Sequence, residues 1–232
     1  MKIGNKLKES FSSEVDAFWI DKNVGTSFTC PNVSLFRLIG GQIGSINNKK
    51  VLEIGFAHGS DLIECKRRGA KIFGLDLNPK YVENIKNDLL CDVKQFRAGK
   101  DYIPYDLSFD LIYSIDTIYY LTDIELKQFF RQCATKLVTN GKFIIQFIET
   151  DLKLDSNTNK NHNFDINFLS NYVTHRIHSE RNSPIRHLIA NEVIAIAEQS
   201  NLRLVGSKRM LQSYDLNETE IRVDKYLIFS NQ

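Results

Sequence analysis

The sequence predicts an α/β fold, a parallel sheet with helices packed on both faces. Three observations carry that reading. Strand-like and helix-like runs alternate from residue 50 onward, the pattern a parallel sheet and its covering helices require. Val51-Leu52-Glu53-Ile54 is an apolar run that stops at a loop of small residues, Gly55 to Gly59, before a helix start. A second such run, Lys71 to Asp76, ends on an acid 21 residues after Gly55.

Taken in order, the expected strands are Lys50–Gly55, Lys71–Asp76, Val93–Ala98, Asp110–Ile115, Lys142–Ile148, Leu202–Met210 and Arg222–Phe229. Helical stretches fall near Asp61–Arg68, Pro79–Asn87, Asp123–Leu137 and Ile185–Gln199. Thr122-Asp123 is a capping pair for the third of these, and Asn140-Gly141 is its stop signal. No helix separates the last two strands, so they pair antiparallel. Two regions stand outside the alternation. Residues 1–48 carry Phe11, Val15, Phe18 and Trp19 at helical spacing, then a second apolar helix from Pro31 to Ile39. Such stripes dock onto a core, and Trp19 either packs there or touches a ligand. Residues 150–184 open with the polar run Asp155 to Asn161, a surface loop. Phe168, Leu169, Tyr172, Val173 and Ile177 then suit a short amphipathic helix. The chain thus divides into an N-terminal helical cap, 1–48, and a domain, 49–232, with a lid insertion at 150–184.

Composition sets the frame. At 232 residues and 42% hydrophobic content, one domain with appendages is the expectation. A net charge of +2 is too balanced for an extended nucleic-acid surface. Cys30, Cys65, Cys91 and Cys133 are scattered, without the spacing of a disulfide framework or zinc site, which points to a reducing, cytoplasmic setting. Neither a signal-peptide core nor an apolar run of membrane-spanning length is present.

The glycine loop is where a ligand would come close, since glycine accepts positive φ and has no side chain to obstruct. The nicotinamide and flavin fingerprint needs small residues at 55, 57 and 60, but Ser60 takes the third place and glycine falls at 59. Glu53, Gly55, Ala57 and Gly59 instead resemble the first motif of the class I S-adenosylmethionine-dependent methyltransferases. Ala57 stands where that family usually has glycine, and His58 is bulky for the loop. Gly74-Leu75-Asp76-Leu77-Asn78-Pro79 resembles the family's second motif. Asp76 either accepts hydrogen bonds from ribose hydroxyls or caps the helix starting at Asn78-Pro79.

The resemblance covers about residues 49–148 by motif. It implies a seven-stranded Rossmann-like sheet closed by an antiparallel hairpin. S-adenosyl-L-methionine would be the cofactor and S-adenosyl-L-homocysteine its product. Glu53, Gly55, Ala57, Gly59, Asp76, Leu77 and Ser114 would surround it. Lys100-Asp101-Tyr102-Ile103-Pro104 occupies the place of the family's acid-bearing loop. Asp101 could accept from the adenine amino group, although the family's acid can also be aligned with Gly99. Tyr102 either stacks on adenine or is simply exposed. Phe109 to Ser114 is similar to the fourth-strand signature of small-molecule methyltransferases, which would set Asp116 near the methionine end and the acceptor. Helix capping is the other reading of Asp116. Tyr119 and Tyr120 follow as acceptor contacts. The Asn-Pro-Pro-Tyr sequence of nucleobase and glutamine methyltransferases is absent.

His162, His175, His178 and His187 fall within or beside the insertion, accompanied by Arg176, Arg181 and Arg186. That surface could hold a carboxylate or phosphate, with His175 or His178 taking a proton from the nucleophile. A solvated helix face would look the same. The spacings support no metal site. The expected activity is methyl transfer to an O or N nucleophile of a small polar, anionic metabolite or sugar-type acceptor, without a nucleic-acid or membrane partner. An RNA methyltransferase, a nicotinamide-dependent oxidoreductase and a non-catalytic binding protein are the alternatives.

Overall fold

Val51, Leu52 and Ile54 are almost entirely inaccessible to solvent, as a central parallel strand covered on both faces must be. The computed structural model describes residues 2–21, 30–89, 91–149, 172–176, 182–186, 188–213 and 221–231. The chain opens with α1 (Lys2–Asp21), α2 (Val33–Gln42), β1 (Lys50–Ile54), α3 (Ser60–Arg67), β2 (Lys71–Asp76), α4 (Pro79–Leu89) and β3 (Asp92–Gln95). It continues through β4 (Phe109–Ile115), a 3-10 turn (Ile118–Tyr120), α5 (Asp123–Lys136), β5 (Leu137–Ile148), β6 (Tyr172–Arg176) and β7 (Asn182–Arg186). It closes with α6 (Ala190–Glu198), β8 (Leu202–Ser213) and β9 (Ile221–Asn231).

Seven strands form one sheet in the order β3-β2-β1-β4-β5-β9-β8. The first five are parallel, and β9 runs antiparallel to both β5 and β8. The pleat sends alternate residues to opposite faces. Leu52, Ile54, Ile112, Phe143, Ile145 and Phe147 meet Phe129, Phe130 and Cys133 of α5 and Val193 and Ala197 of α6. Val51, Leu111, Tyr113, Ile144 and Ile228 meet Leu35, Phe36 and Ile39 of α2, Leu62 and Cys65 of α3, and Tyr81 and Ile85 of α4. The parallel strands reverse order between β1 and β4, so their carboxyl ends open a crevice there. No helix among the described residues is long and apolar enough to cross a membrane.

Several expected boundaries move. β3 stops at Gln95 because a turn follows at once: Arg97 N–H donates to Asp101 Oδ2, and Asp101 N–H returns to the Arg97 carbonyl. α5 gives way to β5 at Leu137, and Asn140, at φ 62°, lies within that strand. The amphipathic helix expected around Tyr172 and Val173 is a strand instead. β6 pairs antiparallel with β7, matching Tyr172 to Arg186 and Val173 to Ile185. Aromatic and β-branched residues at Tyr172, Val173 and Thr174 favour that pleated pairing. Phe168, Leu169 and Ile177 lie outside the described residues. β7 also takes the first residues of the helix expected from Ile185, which begins at Ala190.

Candidate active site

The loop leaving β1 is built from three left-handed residues, Gly55 at φ 84°, Ala57 at 45° and Gly59 at 71°. A left-handed alanine costs about 1–2 kcal/mol, so the surroundings must impose it. They do: Ala57 N–H donates to Asp76 Oδ2 at 2.8 Å, and Gly55 N–H to the Leu75 carbonyl at 2.7 Å. The glycines serve internal packing as much as ligand approach. A Cβ on Gly55 would lie 2.2 Å from Thr117 Oγ1, and one on Gly59 2.4 Å from Ile85 Cδ1.

Asp76, at the end of β2, is buried and spends its other oxygen on Asn78 N–H at 2.8 Å. Asn78 itself caps α4, its Oδ1 accepting from Lys80 N–H at 2.9 Å. Burial pushes the Asp76 carboxyl up to about 6, against the pull of the Asn78, Ala57 and Leu77 backbone N–H groups. Glu53 is raised well above the usual carboxylate range, by burial first and then by the charge of Asp61; the 3.0 Å hydrogen bond from Tyr113 Oη opposes this. Asp61 is raised by burial, opposed by the 2.7 Å bond from Asn32 N–H.

At the end of β4, Asp116 is held at φ 52°. Its N–H donates to both the carbonyl and Oε1 of Gln146, at 3.2 and 3.0 Å. Gln146, fully buried, donates in turn from Nε2 to Asp224 Oδ1 at 2.8 Å. Between the two loops lies a cavity of about 500 Å³. Trp19 of α1, Asn32 to Ser34 at the start of α2, Gly55 to Asp61, Glu53, Tyr81 and Asp116 line it. Three carboxylates, Glu53, Asp61 and Asp116, thus face it, and no lysine or arginine does among the described residues.

The cavity brings together Glu53, Gly55, Ala57, Gly59 and Asp116 of the residues expected from the sequence. Asp76 stands behind Ala57, and half-buried Leu77 gives its carbonyl to Gln95. Ser114 is sealed in the sheet, its Oγ donating to the Ile54 carbonyl at 2.8 Å. Asp101 is exposed and holds the turn after β3, and Tyr102 is 81% exposed. An acid at position 99 would not fit, because a Cβ there meets the Glu125 backbone at 2.6 Å. Tyr119 is buried, and half-buried Tyr120 packs edge-on against Trp19. His175 and Arg176 sit on β6, whose side chains are not described; His162, His178, Arg181 and His187 lie outside the described residues. Arg186 is buried, with its guanidinium on Asp123 and the Leu121 carbonyl, so it fastens β7 to the start of α5. Trp19, which the sequence left between packing and ligand contact, lines the cavity, and Asn32 and Asp61 are lining residues that sequence patterns did not single out. Asp61 was legible as an acid in the first turn of α3.

Residues 51–141 match the family model described as a methyltransferase domain, and they span β1 to β5 of the sheet just described. Residues 51–141 thus carry a methyltransferase domain. No curated protein matches its sequence. Solved structures share the methyltransferase's fold. An S-adenosylmethionine-dependent methyltransferase from Methanosarcina mazei superposes with a TM-score of 0.67 at 14% identity, covering 84% of this chain and 96% of its own. A glycopeptide N-methyltransferase complexed with S-adenosyl-L-methionine gives 0.61 at 13%, covering 90% and 100%. Magnesium protoporphyrin IX methyltransferase from Synechocystis PCC 6803, with bound S-adenosylhomocysteine, gives 0.60 at 12%, covering 99% and 98%.

The methyltransferase cavity fits its cofactor in size and in charge. Pockets for ligands of this kind measure about 300–1,000 Å³. Carboxylates on the wall complement a sulfonium and an ammonium, and the amino-terminal turns of α2 and α3 offer backbone N–H groups to a carboxylate.

Proposed function

We propose that the methyltransferase modifies an O or N nucleophile of a small polar acceptor lodged beyond Asp116. One observation carries this reading: the strained Asp116 turn and the glycine loop face a single cavity. Strained residues of this kind persist where a site requires them. When bound, S-adenosylmethionine supplies a methyl group already activated on sulfur, so the protein needs little covalent chemistry of its own.

The side chains then bind, orient and exclude water. Glu53 and Asp61 face the cationic end of the cofactor, and Asp76 offers its remaining lone pairs to the ribose. The Asp116 carboxylate orients the acceptor and takes up its proton where the nucleophile is a hydroxyl. Tyr119 and Tyr120 back that position. If the acceptor is anionic, Arg176, Arg181 and His187 are the groups to hold it, with His175 or His178 as the base. Arg186 is not among them, since it is committed to Asp123.

The test is methyl-labelled S-adenosylmethionine turned over against a panel of small carboxylates, phosphates, alcohols and amines. With the acceptor found, Arg176→Ala and Arg181→Ala should raise its KM, and Asp116→Asn or His178→Ala should lower kcat, while cofactor affinity stays unchanged. Wild-type turnover in all four variants would refute the assignment.

A further inference from the structure

Arg97, two residues beyond the end of β3, is only 7% exposed. Its Nε donates to Asp16 of α1, its NH2 group to Ser12 Oγ at 3.3 Å and to Glu125 Oε1 at 3.4 Å, and its NH1 group to the Ala98 carbonyl at 3.1 Å. Ser12 Oγ donates to the same Glu125 oxygen at 2.7 Å, and Lys100 Nζ reaches the second Asp16 oxygen at 2.8 Å. Two cations and two carboxylates therefore bind α1 to the carboxyl edge of the sheet. Glu125 cannot drift, because its other oxygen closes the capping box of α5 with Thr122 N–H at 2.7 Å.

Three residues after Asp16, on the same face of the helix, stands Trp19. Its ring lies edge-on to Tyr120 at 5.3 Å, its carbonyl accepts from Asn78 Nδ2 at 2.8 Å, and it lines the cavity. The ion network sits one turn from the roof of the site, with a rigid helix between them. Apolar contacts such as those of Phe11 and Val15 hold a helix down without fixing its position along the surface. A desolvated guanidinium shared by two carboxylates fixes it, and breaking such a pair is costly.

We propose that Arg97, Asp16 and Glu125 form a positioning unit that clamps α1 with Trp19 over the cofactor cavity, so that cofactor exchange requires this network to open. The proposal rests on the cofactor reading of that cavity. Trp19 is the sole tryptophan, so protein fluorescence reports directly on the roof.

Asp16→Asn removes the charge while keeping the shape, at a position outside the core. Dissociation of S-adenosylhomocysteine, followed by stopped-flow Trp19 emission, should quicken about tenfold in the variant, the equivalent of losing one charge-assisted hydrogen bond. Acrylamide should quench Trp19 more strongly, and Asp16→Glu should restore both properties in part. Equal dissociation rates and equal quenching in wild type and Asp16→Asn would overturn the clamp. Failure of the wild type to bind S-adenosylhomocysteine would instead overturn the cofactor reading beneath it.

Discussion

If Asp76 receives the cofactor ribose as proposed, its burial makes cofactor binding a titration. In the free protein its carboxyl is pushed up to about 6 by burial, although it accepts from Ala57 and Asn78 N–H. A folded value above the unfolded one means that the native state holds this proton more tightly. The stability gained from protonation is complete below the unfolded value, about pH 4, and is lost as pH rises through 6. Ribose hydroxyls donating to the carboxylate favour its ionised form, so binding releases the proton wherever the free protein carries it. At about pH 5 the free carboxyl is roughly ten to one protonated, and affinity should be about tenfold weaker than at pH 7.5, or about 1.4 kcal/mol. Adenosine separates Asp76 from Glu53 and Asp61, because it carries the ribose without the methionine end. Calorimetry at both pH values should therefore show the tenfold change with adenosine and proton uptake by the buffer at the lower pH. Asp76→Asn should flatten the profile and weaken binding by about 1.5–3 kcal/mol. A pH-independent adenosine affinity in wild type, or a variant as pH-sensitive as wild type, would refute the reasoning.

Gly55→Val should abolish S-adenosylhomocysteine binding in calorimetry and cost at least about 2 kcal/mol in a urea melt, since φ is 84° and the new Cβ meets Thr117 Oγ1. Retained binding would mean the loop is not the cofactor cradle. Arg186→Ala should lower unfolding stability by about 1.5–3 kcal/mol through loss of the Asp123 pair and the Leu121 bond, with S-adenosylhomocysteine affinity unchanged. Reduced affinity in a protein of unaltered stability would reverse that assignment. Asp116→Gly should raise stability by about 1 kcal/mol by relieving the left-handed backbone, at the expense of methyl transfer; a destabilised variant would show that the turn stores no strain.

The central strands were legible because burial on both faces leaves mostly apolar runs, as at Val51 to Ile54, broken only by Glu53, and again at Leu111 to Tyr113. The loop ending in Gly59 and the acid of β2 were legible from spacing. The reason for glycine at 55 was not, since its crowding neighbour Thr117 comes from another strand's end. Arg97 was equally silent: its partners lie 81 and 28 residues away in sequence, and nothing local marks it as buried. At Tyr172 and Val173 the apolar spacing matched a helix, but the partner strand at Asn182–Arg186 decided otherwise. Short apolar runs take their form from what they pair with.

β9 lies between β5 and β8 although it follows both along the chain. As the polypeptide is synthesised, the glycine loop, all the parallel strands and β8 exist before residue 221 emerges. Until then β5 presents an open edge, a row of unpaired backbone groups able to capture another chain, and β8 has no neighbour to join. Pairing Lys142 with Ser230 or Ile148 with Asp224 closes a loop of most of the carboxyl-terminal half of the molecule, a slow step by contact order. The sheet is therefore sealed by β9, and the nascent chain is most open to unwanted edge pairing just before that strand arrives.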